Sequence, residues 1–360
     1  MRTHIPRTDT AFHRDYQLRI VAWEVTRSCN LDCVHCRASS NYGPHPRELD
    51  AIKATEVLDQ IREVAKPIII LTGGEPLLRK DIFALADYGT RKGLRMVLAT
   101  NGTLITPDIT RKIRESGIKR VSVSLDGATR ESHDVFRQVN GAFYRAIKGI
   151  SYLKEGGIEF QINTTITKYN LCELEGISDL AVRLEAAAHH IFLLVPAGRA
   201  KEMANQQLDA REYEDTLYWF HEQQDKAPLQ LKATCAPQYY RIMRQETHSG
   251  GDTVDSKACG LDAVTRGCLA GISYCFISNE GIVQPCGYLE LNSGDVRKSR
   301  FADIWGNSPI FAELRDFSKY KGKCGRCEYI NVCGGCRARA YAAHGDYLSE
   351  EPLCAYNPSC

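Results

Sequence analysis

Residues 26–39 read TRSCNLDCVHCRAS, and within them Cys29, Cys33 and Cys36 are spaced C-x-x-x-C-x-x-C. Three thiolates on one short loop can ligate three irons of a cubane iron–sulfur cluster and leave the fourth iron without a protein ligand. Such an iron is free to bind a small molecule and act on it. A four-cysteine site is closed, and mostly carries electrons or holds structure. The other readings are zinc or three reduced thiols in a loop. Structural zinc takes four ligands, commonly in paired C-x-x-C units. His35 could complete a set of four, but it lies between two of the cysteines.

Outward from this loop, residues 67–71 (PIIIL) form a continuous apolar run that reads as a strand buried on both faces. Thr72-Gly73-Gly74-Glu75-Pro76 follows at once. Gly-Gly before Pro is by itself an ordinary turn. Placed after a buried strand, one strand–helix unit beyond the cysteine loop, the pair of motifs resembles the radical SAM superfamily. That resemblance implies that Cys29, Cys33 and Cys36 hold a 4Fe-4S cluster whose open iron is chelated by the amine and carboxylate of S-adenosylmethionine (SAM). It also implies that the Gly73-Gly74-Glu75 turn binds the SAM amino group, through the Glu75 carboxylate. Ser124 then falls where family members contact the ribose, Asn163 is a second cofactor candidate, and His35 stands where the family often has an aromatic near the adenine. Each of these three reads equally well as a polar residue bonded to a loop backbone.

Strand candidates at 18–24, 68–71, 95–100, 120–125, 158–166 and 190–195 alternate with amphipathic helices. In the first helix Ile52, Val57, Leu58, Ile61 and Val64 recur at helical spacing. Thr106-Pro107 reads as an N-cap followed by Pro at the first helical position, with Gly117 at the far end. Strands alternating with helices argue for a parallel α/β sheet or partial barrel, and the resemblance implies a six-stranded (β/α)6 partial TIM barrel. The loops at the C-terminal ends of such strands carry the active site. Cys29–Cys36, Gly73–Glu75, 100–102 and 124–127 all fall there. From Asp209 to Glu246 the pattern reads as helical, and HSGGDTVDSK (248–257) as a loop. The expected organisation is an N-terminal extension (1–17), a barrel with trailing helices (18–247) and a cysteine-rich C-terminal domain (248–360).

That last segment carries Cys268, Cys275 and Cys286, then CGRCEYINVCGGC with Cys324, Cys327, Cys333 and Cys336, then Cys354. Residues 273–285 read as a hairpin turned at Asn279-Glu280-Gly281. The whole resembles the SPASM extension of radical SAM enzymes, which binds auxiliary iron–sulfur clusters. The last C-x-C gap is two residues here rather than the three of the family pattern. Interleaved ligation of the family kind implies an inner cluster on Cys268, Cys275, Cys286 and Cys336, and an outer one on Cys324, Cys327, Cys333 and Cys354. On spacing alone a pair of zinc ribbons fits as well. Cys172, Cys235, Cys259 and Cys360 are left over as free thiols.

The 360 residues carry 46 Lys and Arg against 44 Asp and Glu, with no long block of one sign, which argues against a nucleic-acid or membrane-surface footprint. No apolar run is long enough to span a bilayer, and the polar start lacks an apolar signal region. The expectation is a soluble cytoplasmic protein working without oxygen. Fifteen cysteines with no targeting segment point to metal rather than disulfides.

VAWEVTRSCNLDCVHCRA, PIIILTGGEPLLRKDIF, GIEFQINTTIT and HIFLLVPAGRA together resemble the haem b synthase family of the siroheme-dependent pathway. That resemblance implies oxidative decarboxylation of two propionates of Fe-coproporphyrin III to vinyl groups, one SAM for each, with a flavodoxin or ferredoxin as electron donor and an auxiliary cluster as natural acceptor. A substrate with four propionates calls for cations. Arg199 and Lys201 follow strand six, and Arg337 and Arg339 adjoin Cys336; each reads equally as a solvated surface charge. His189 and His190 could face the iron, or serve the core or surface. The rival readings are a SPASM peptide maturase forming crosslinks, the related didecarboxysiroheme deacetylase, and a non-catalytic iron–sulfur carrier or zinc scaffold. Colour separates the last of these. Purified without oxygen, the protein is expected to be brown with broad charge-transfer absorption; a colourless protein containing zinc would contradict the iron–sulfur reading.

Overall fold

The computed structural model describes residues 16–249 and 266–358. Its frame is a parallel run of six strands: β1 (Ile20–Thr26), β2 (Ile68–Gly73), β3 (Arg95–Thr100), β4 (Val121–Ser124), β5 (Phe160–Ile166) and β6 (Ala188–Leu193), each paired with the one before. The connecting helices are α1 (Ala51–Val64), α2 (Ile82–Arg91), α3 (Pro107–Glu115), α4 (Arg130–Arg137), α5 (Ala142–Glu155) and α6 (Leu174–Arg183). All of β1 is buried, as a central strand covered on both faces requires. The helices begin where their caps dictate. Asp50 accepts from Lys53 N at the start of α1, and Thr106 accepts from Ile109 N ahead of Pro107 in α3. In α1 the buried stripe is Ala54, Val57, Leu58 and Ile61, whereas Ile52, expected on that face, is 70% exposed.

Two additions extend the sheet to ten strands, one strand beyond β6 and three beyond β1. The stretch expected to be helical from 209 to 246 is α7 (Ala210–Glu222), a strand β7 (Gln230–Thr234) and α8 (Gln238–Ser249). QLKAT is too short for its alternation to stand out from the helical pattern around it. Leu231 and Ala233 are nevertheless buried, and the strand continues the sheet parallel to β6. On the other side, β8 (Tyr274–Ile277) and β9 (Ile282–Gln284) form an antiparallel hairpin, followed by β10 (Gly294–Asp295). Gly281 closes the turn in the left-handed region, φ +87°.

β8 lies parallel to β1, with Ile20 opposite Tyr274 and Trp23 opposite Ile277. The cysteine-rich segment is thereby built onto the first barrel strand. The short helices α9 (Phe301–Asn307), α10 (Pro309–Arg315), α11 (Gly322–Gly325) and α12 (Arg337–His344) complete it. Phe301 N donates to Gln60 Oε1 of α1 at 2.8 Å, fixing that attachment from the helix side. The boundary expected at residue 248 adjoins residues 250–265, which lie outside the described residues, as do most of the 1–17 extension, Cys259 and Cys360. Among the described residues no helix is long and apolar enough to cross a membrane.

Candidate active site and cluster centres

The cysteine loop leaves the C-terminal end of β1 and is held by the turn after β2. Gly74 N donates to Thr26 O at 2.8 Å, and Glu75 N donates to Ser28 O at 2.7 Å. A Cβ on Gly73 or Gly74 would stand 2.3 Å from Thr26 O or Ser28 O, so only glycine lets the two loops touch. Each thiol receives one donor: Leu31 N to Cys29 Sγ at 3.4 Å, Ser40 N to Cys36 Sγ at 3.4 Å, and Arg137 Nη1 to Cys33 Sγ at 3.5 Å. Burial pushes the Cys29 thiol up to about 12, and the charges of Glu75, Cys33 and Cys36 add to this. Burial also raises Cys33, opposed by Arg137.

Cys29 and Cys33, buried and crowded by Cys36, resist ionising together unless a multivalent cation lies among them. A soft thiolate triad with N–H donors aimed at its sulfurs suits the irons of a 4Fe-4S cluster, so the residues present fit that group.

Glu75 is fully buried beside this triad. Its Oε1 accepts from Thr100 Oγ1 at 2.8 Å and Leu77 N at 3.0 Å, and its Oε2 accepts from Asn101 N at 2.8 Å. Desolvation lifts its pKa to about 7 against those three bonds. The carboxylate thus clamps the β2 and β3 loops together, with an acceptor position on Oε2 left for an ammonium group. Ser124 and Asn163 are direct neighbours across β4 and β5. His35 stacks on Phe136 with centroids 4.3 Å apart, and Phe136 stacks on Tyr169 at 5.8 Å, so the aromatic contribution is a column of rings. Burial, then the cations Arg137 and Arg199, hold His35 neutral.

Arg137 escaped the sequence reading. In RESHDVFRQ it looks like one more charge on an amphipathic helix. It is instead buried, pairing with Asp126 and reaching Cys33.

Cys324, Cys327, Cys333 and Cys354 line one cavity together with Arg241 and Glu351. Gly335 N donates to Cys333 Sγ, and both Arg337 Nη2 and Glu351 N donate to Cys324 Sγ, each at 3.4 Å. Cys268, Cys286 and Cys336 form a second group, but their fourth member is Cys235 and not Cys275. Cys235 lies within electrostatic reach of all three. Cys275 has no cysteine among the charges acting on it, only Arg315, and is fully buried in the main core. Side chains alternate along a strand: Tyr274 of β8 faces Cys286 and Cys235, so its neighbour Cys275 points to the opposite side. Cys235 stands just past β7, in the left-handed region at φ +55°. Spacing alone leaves Cys235 among the free thiols, because the strand that carries it to this group is too short to show a period.

The short gap between Cys333 and Cys336 is filled by Gly334 and Gly335, both left-handed (φ +75° and +60°), which lets the two cysteines turn to different groups. Burial raises Cys286 to about 12, Cys336 to about 11 and Cys354 to about 11. Both tetrads therefore fit auxiliary clusters on the same physical ground as the triad.

The cations expected at a substrate do other work. Arg337 is fully buried and donates to Tyr347 O, Ser349 O and Cys324 Sγ. Arg339, equally buried, pairs with Glu351 at 2.8 Å and donates to Leu194 O and Cys235 O. Arg199 holds the cysteine loop, donating to Cys33 O at 2.9 Å and Ser40 O at 2.8 Å. Lys201 is exposed. His189 faces the helices, between Thr164 Oγ1 at 2.9 Å and Ser178 Oγ at 3.2 Å, and so points away from the barrel interior. His190 therefore faces inward. Register places it in a row running Ser124, Asn163, His190 and Lys232 across four strands.

Comparison with known proteins follows this geometry. Residues 23–181 match the model of the radical SAM superfamily, and residues 268–337 match the iron–sulfur cluster-binding SPASM domain. An "AdoMet-dependent heme synthase" of Nitratidesulfovibrio vulgaris is 52% identical over 94% of this chain and 93% of its own length. Another of that name, from Methanosarcina barkeri, is 51% identical over 94% of this chain and 97% of its own. Streptococcus suis SuiB, solved bound to S-adenosylmethionine, superposes with a TM-score of 0.74 at 17% identity, covering 95% of this chain and 78% of that one.

Two substitutions test the site. Cys235→Ser is expected to remove one cluster's complement of iron while Cys275→Ala removes none; the reverse outcome, read by iron analysis and EPR, would restore Cys275 as a ligand. Glu75→Gln, which loses a charge-assisted bond of about 1.5–3 kcal/mol, is expected to weaken SAM binding by roughly 10- to 100-fold in equilibrium dialysis.

Proposed function

The chain belongs to the AdoMet-dependent heme synthase family of radical SAM enzymes, and from that premise we propose that it converts two propionates of Fe-coproporphyrin III to vinyl groups, giving haem b. The observation that carries the reading is the near-full-length likeness to relatives of that name, joined to a three-thiol site and two four-thiol sites in one chain. Cys29, Cys33 and Cys36 would hold the 4Fe-4S cluster, and that group, when bound and reduced, would supply the electron that cleaves the SAM sulfonium to methionine and a 5′-deoxyadenosyl radical. The protein's own residues do the rest of the positioning. Glu75 orients the methionyl ammonium, the His35–Phe136–Tyr169 column flanks the adenine, and Ser124 with Asn163 faces the ribose.

The balance closes for each propionate. The radical takes one hydrogen atom from the β-carbon and becomes 5′-deoxyadenosine. The substrate radical then breaks its bond to the carboxylate, releases carbon dioxide and gives up one electron as the alkene forms. That electron needs an acceptor, and an auxiliary cluster held by Cys235, Cys268, Cys286 and Cys336 would supply one.

With Arg337 and Arg339 enclosed, the substrate's carboxylates fall to His190 and Lys232, the far end of the inward row. Enclosure holds His190 neutral, with a pKa of about 3. The Gln161 amide nitrogen lies 2.9 Å from His190 Nδ1 and also donates to Asn163 Oδ1 at 2.8 Å. An amide nitrogen only donates, so Nδ1 accepts and Nε2 carries the proton. The ring accordingly offers a hydrogen bond to a carboxylate rather than a lone pair to iron. His190→Ala is expected to weaken porphyrin binding by about tenfold, the effect of one such bond, while leaving the Soret band and spin state of the bound porphyrin unchanged.

The activity test is anaerobic incubation with reductant, SAM and Fe-coproporphyrin III, followed by mass spectrometry. The expected products are porphyrin lacking two carboxyl groups and one 5′-deoxyadenosine for each vinyl formed. Deoxyadenosine with unchanged porphyrin would discard this substrate and bring peptides forward.

A further inference from the structure

We propose that Arg37 is a redox-positioning residue, a buried cation set between the Cys29/Cys33/Cys36 loop and the Cys286 turn that raises the reduction potential of the inner auxiliary cluster. The inference rests on the assignment of that cluster to Cys235, Cys268, Cys286 and Cys336. Arg37 follows Cys36 directly in the chain, and its guanidinium crosses to the other centre. Nη1 donates to the carbonyl of Gly287, the residue after Cys286, at 3.2 Å. Nη2 donates to Glu24 Oε2 at 2.9 Å. Cζ lies 4.5 Å over the ring of Phe276 in β8. A Cβ on Gly287 would stand 3.0 Å from Phe276 and 3.4 Å from Arg37 Cδ, so glycine there admits the guanidinium between the hairpin and the loop.

The Arg37 side chain is only 15% exposed, yet Glu24 keeps it cationic against the cost of burial. The groups facing it are few. Among the described residues Glu24 is the one anion paired with it, and it is shared with Arg27 Nε at 2.8 Å. Tyr274 and Tyr288 are phenols that burial holds neutral. Arg339, which lies beside Cys336 and Cys235 of the same tetrad, is already matched by Glu351. The charge of Arg37 is therefore only partly offset, and it acts directly on the Cys286 thiol.

A cluster becomes more negative when it is reduced. A fixed cation in a poorly screened site favours that reduced form. This is what an acceptor needs if it is to take the electron released as each carboxylate leaves. The outer tetrad lies around Arg241 and Glu351, away from Arg37, and serves as an internal reference.

The test is an EPR-monitored redox titration of the cluster-loaded full chain. The two auxiliary signals are told apart by Cys235→Ser and Cys354→Ser, and the catalytic signal by its response to SAM. Arg37→Gln is expected to lower the inner-cluster potential, Arg37→Lys to keep it near the unsubstituted value, and Glu24→Gln to raise it, with the outer couple fixed throughout. A loosened loop would not give shifts of opposite sign for the two partners of one ion pair. Shifts in the same direction, or an unmoved inner couple in loaded Arg37→Gln, would overturn the proposal. Should Arg37→Gln fail to fold, the upward shift in Glu24→Gln decides alone. An inner signal that survives Cys235→Ser would refute the ligand assignment first and take this inference with it.

Discussion

Thiols gathered in groups of three, four and four, buried or partly buried, set the terms for the whole molecule. Burial raises the pKa of Cys29, Cys33, Cys286, Cys336 and Cys354, and in each group the neighbouring sulfurs push the same way. Without metal these thiols stay protonated, so iron binding must release protons and be felt as stability. The fold supplies donors to sulfur in advance, from Leu31 N, Ser40 N, Gly335 N, Arg137 and Arg337.

The sheet decides where these groups lie. Loops at the C-terminal ends of β1 and β2 are pressed together by backbone bonds at Gly74 and Glu75, which sets the Gly-Gly-Glu turn against the cysteine loop. β8 lies on β1, so the inner tetrad is attached to the strand from which the catalytic loop departs. β7 on the far edge delivers Cys235 to the same tetrad. Arg337 and Arg339, both buried in the first turn of α12, tie the two auxiliary centres to each other and to the end of β6 through Cys324, Cys235 and Leu194. The two parts are thus one framework, and Arg37 is among the side chains that join them, from the loop of the first cysteines to the turn at Cys286.

Much of this was legible in the chain. The cysteine triad, the Gly-Gly-Glu turn, the six-strand alternation and the 273–285 hairpin are local signals, each contained in a few residues. What escaped was set by strand facing and by long-range pairing. Cys275 has suitable spacing for a ligand, but alternation along β8 turns it into the core. Cys235 has no spacing signal at all, because its partners lie tens of residues away and β7 is too short to show a period. Arg337 and Arg339 look like surface charges or substrate cations, and only burial reveals that carbonyls, a carboxylate and sulfur occupy them. Arg137 was hidden in the same way.

The central claim is that the Cys29/Cys33/Cys36 cluster has an iron open to SAM. ENDOR spectroscopy of the reduced protein with SAM labelled with 15N at its amino group addresses it directly. A nitrogen hyperfine coupling large enough to require direct iron–nitrogen bonding, lost on substitution of Cys33 and unaffected by substitution of Cys354, is the predicted result. A reduced, SAM-saturated protein with no such coupling would contradict the account.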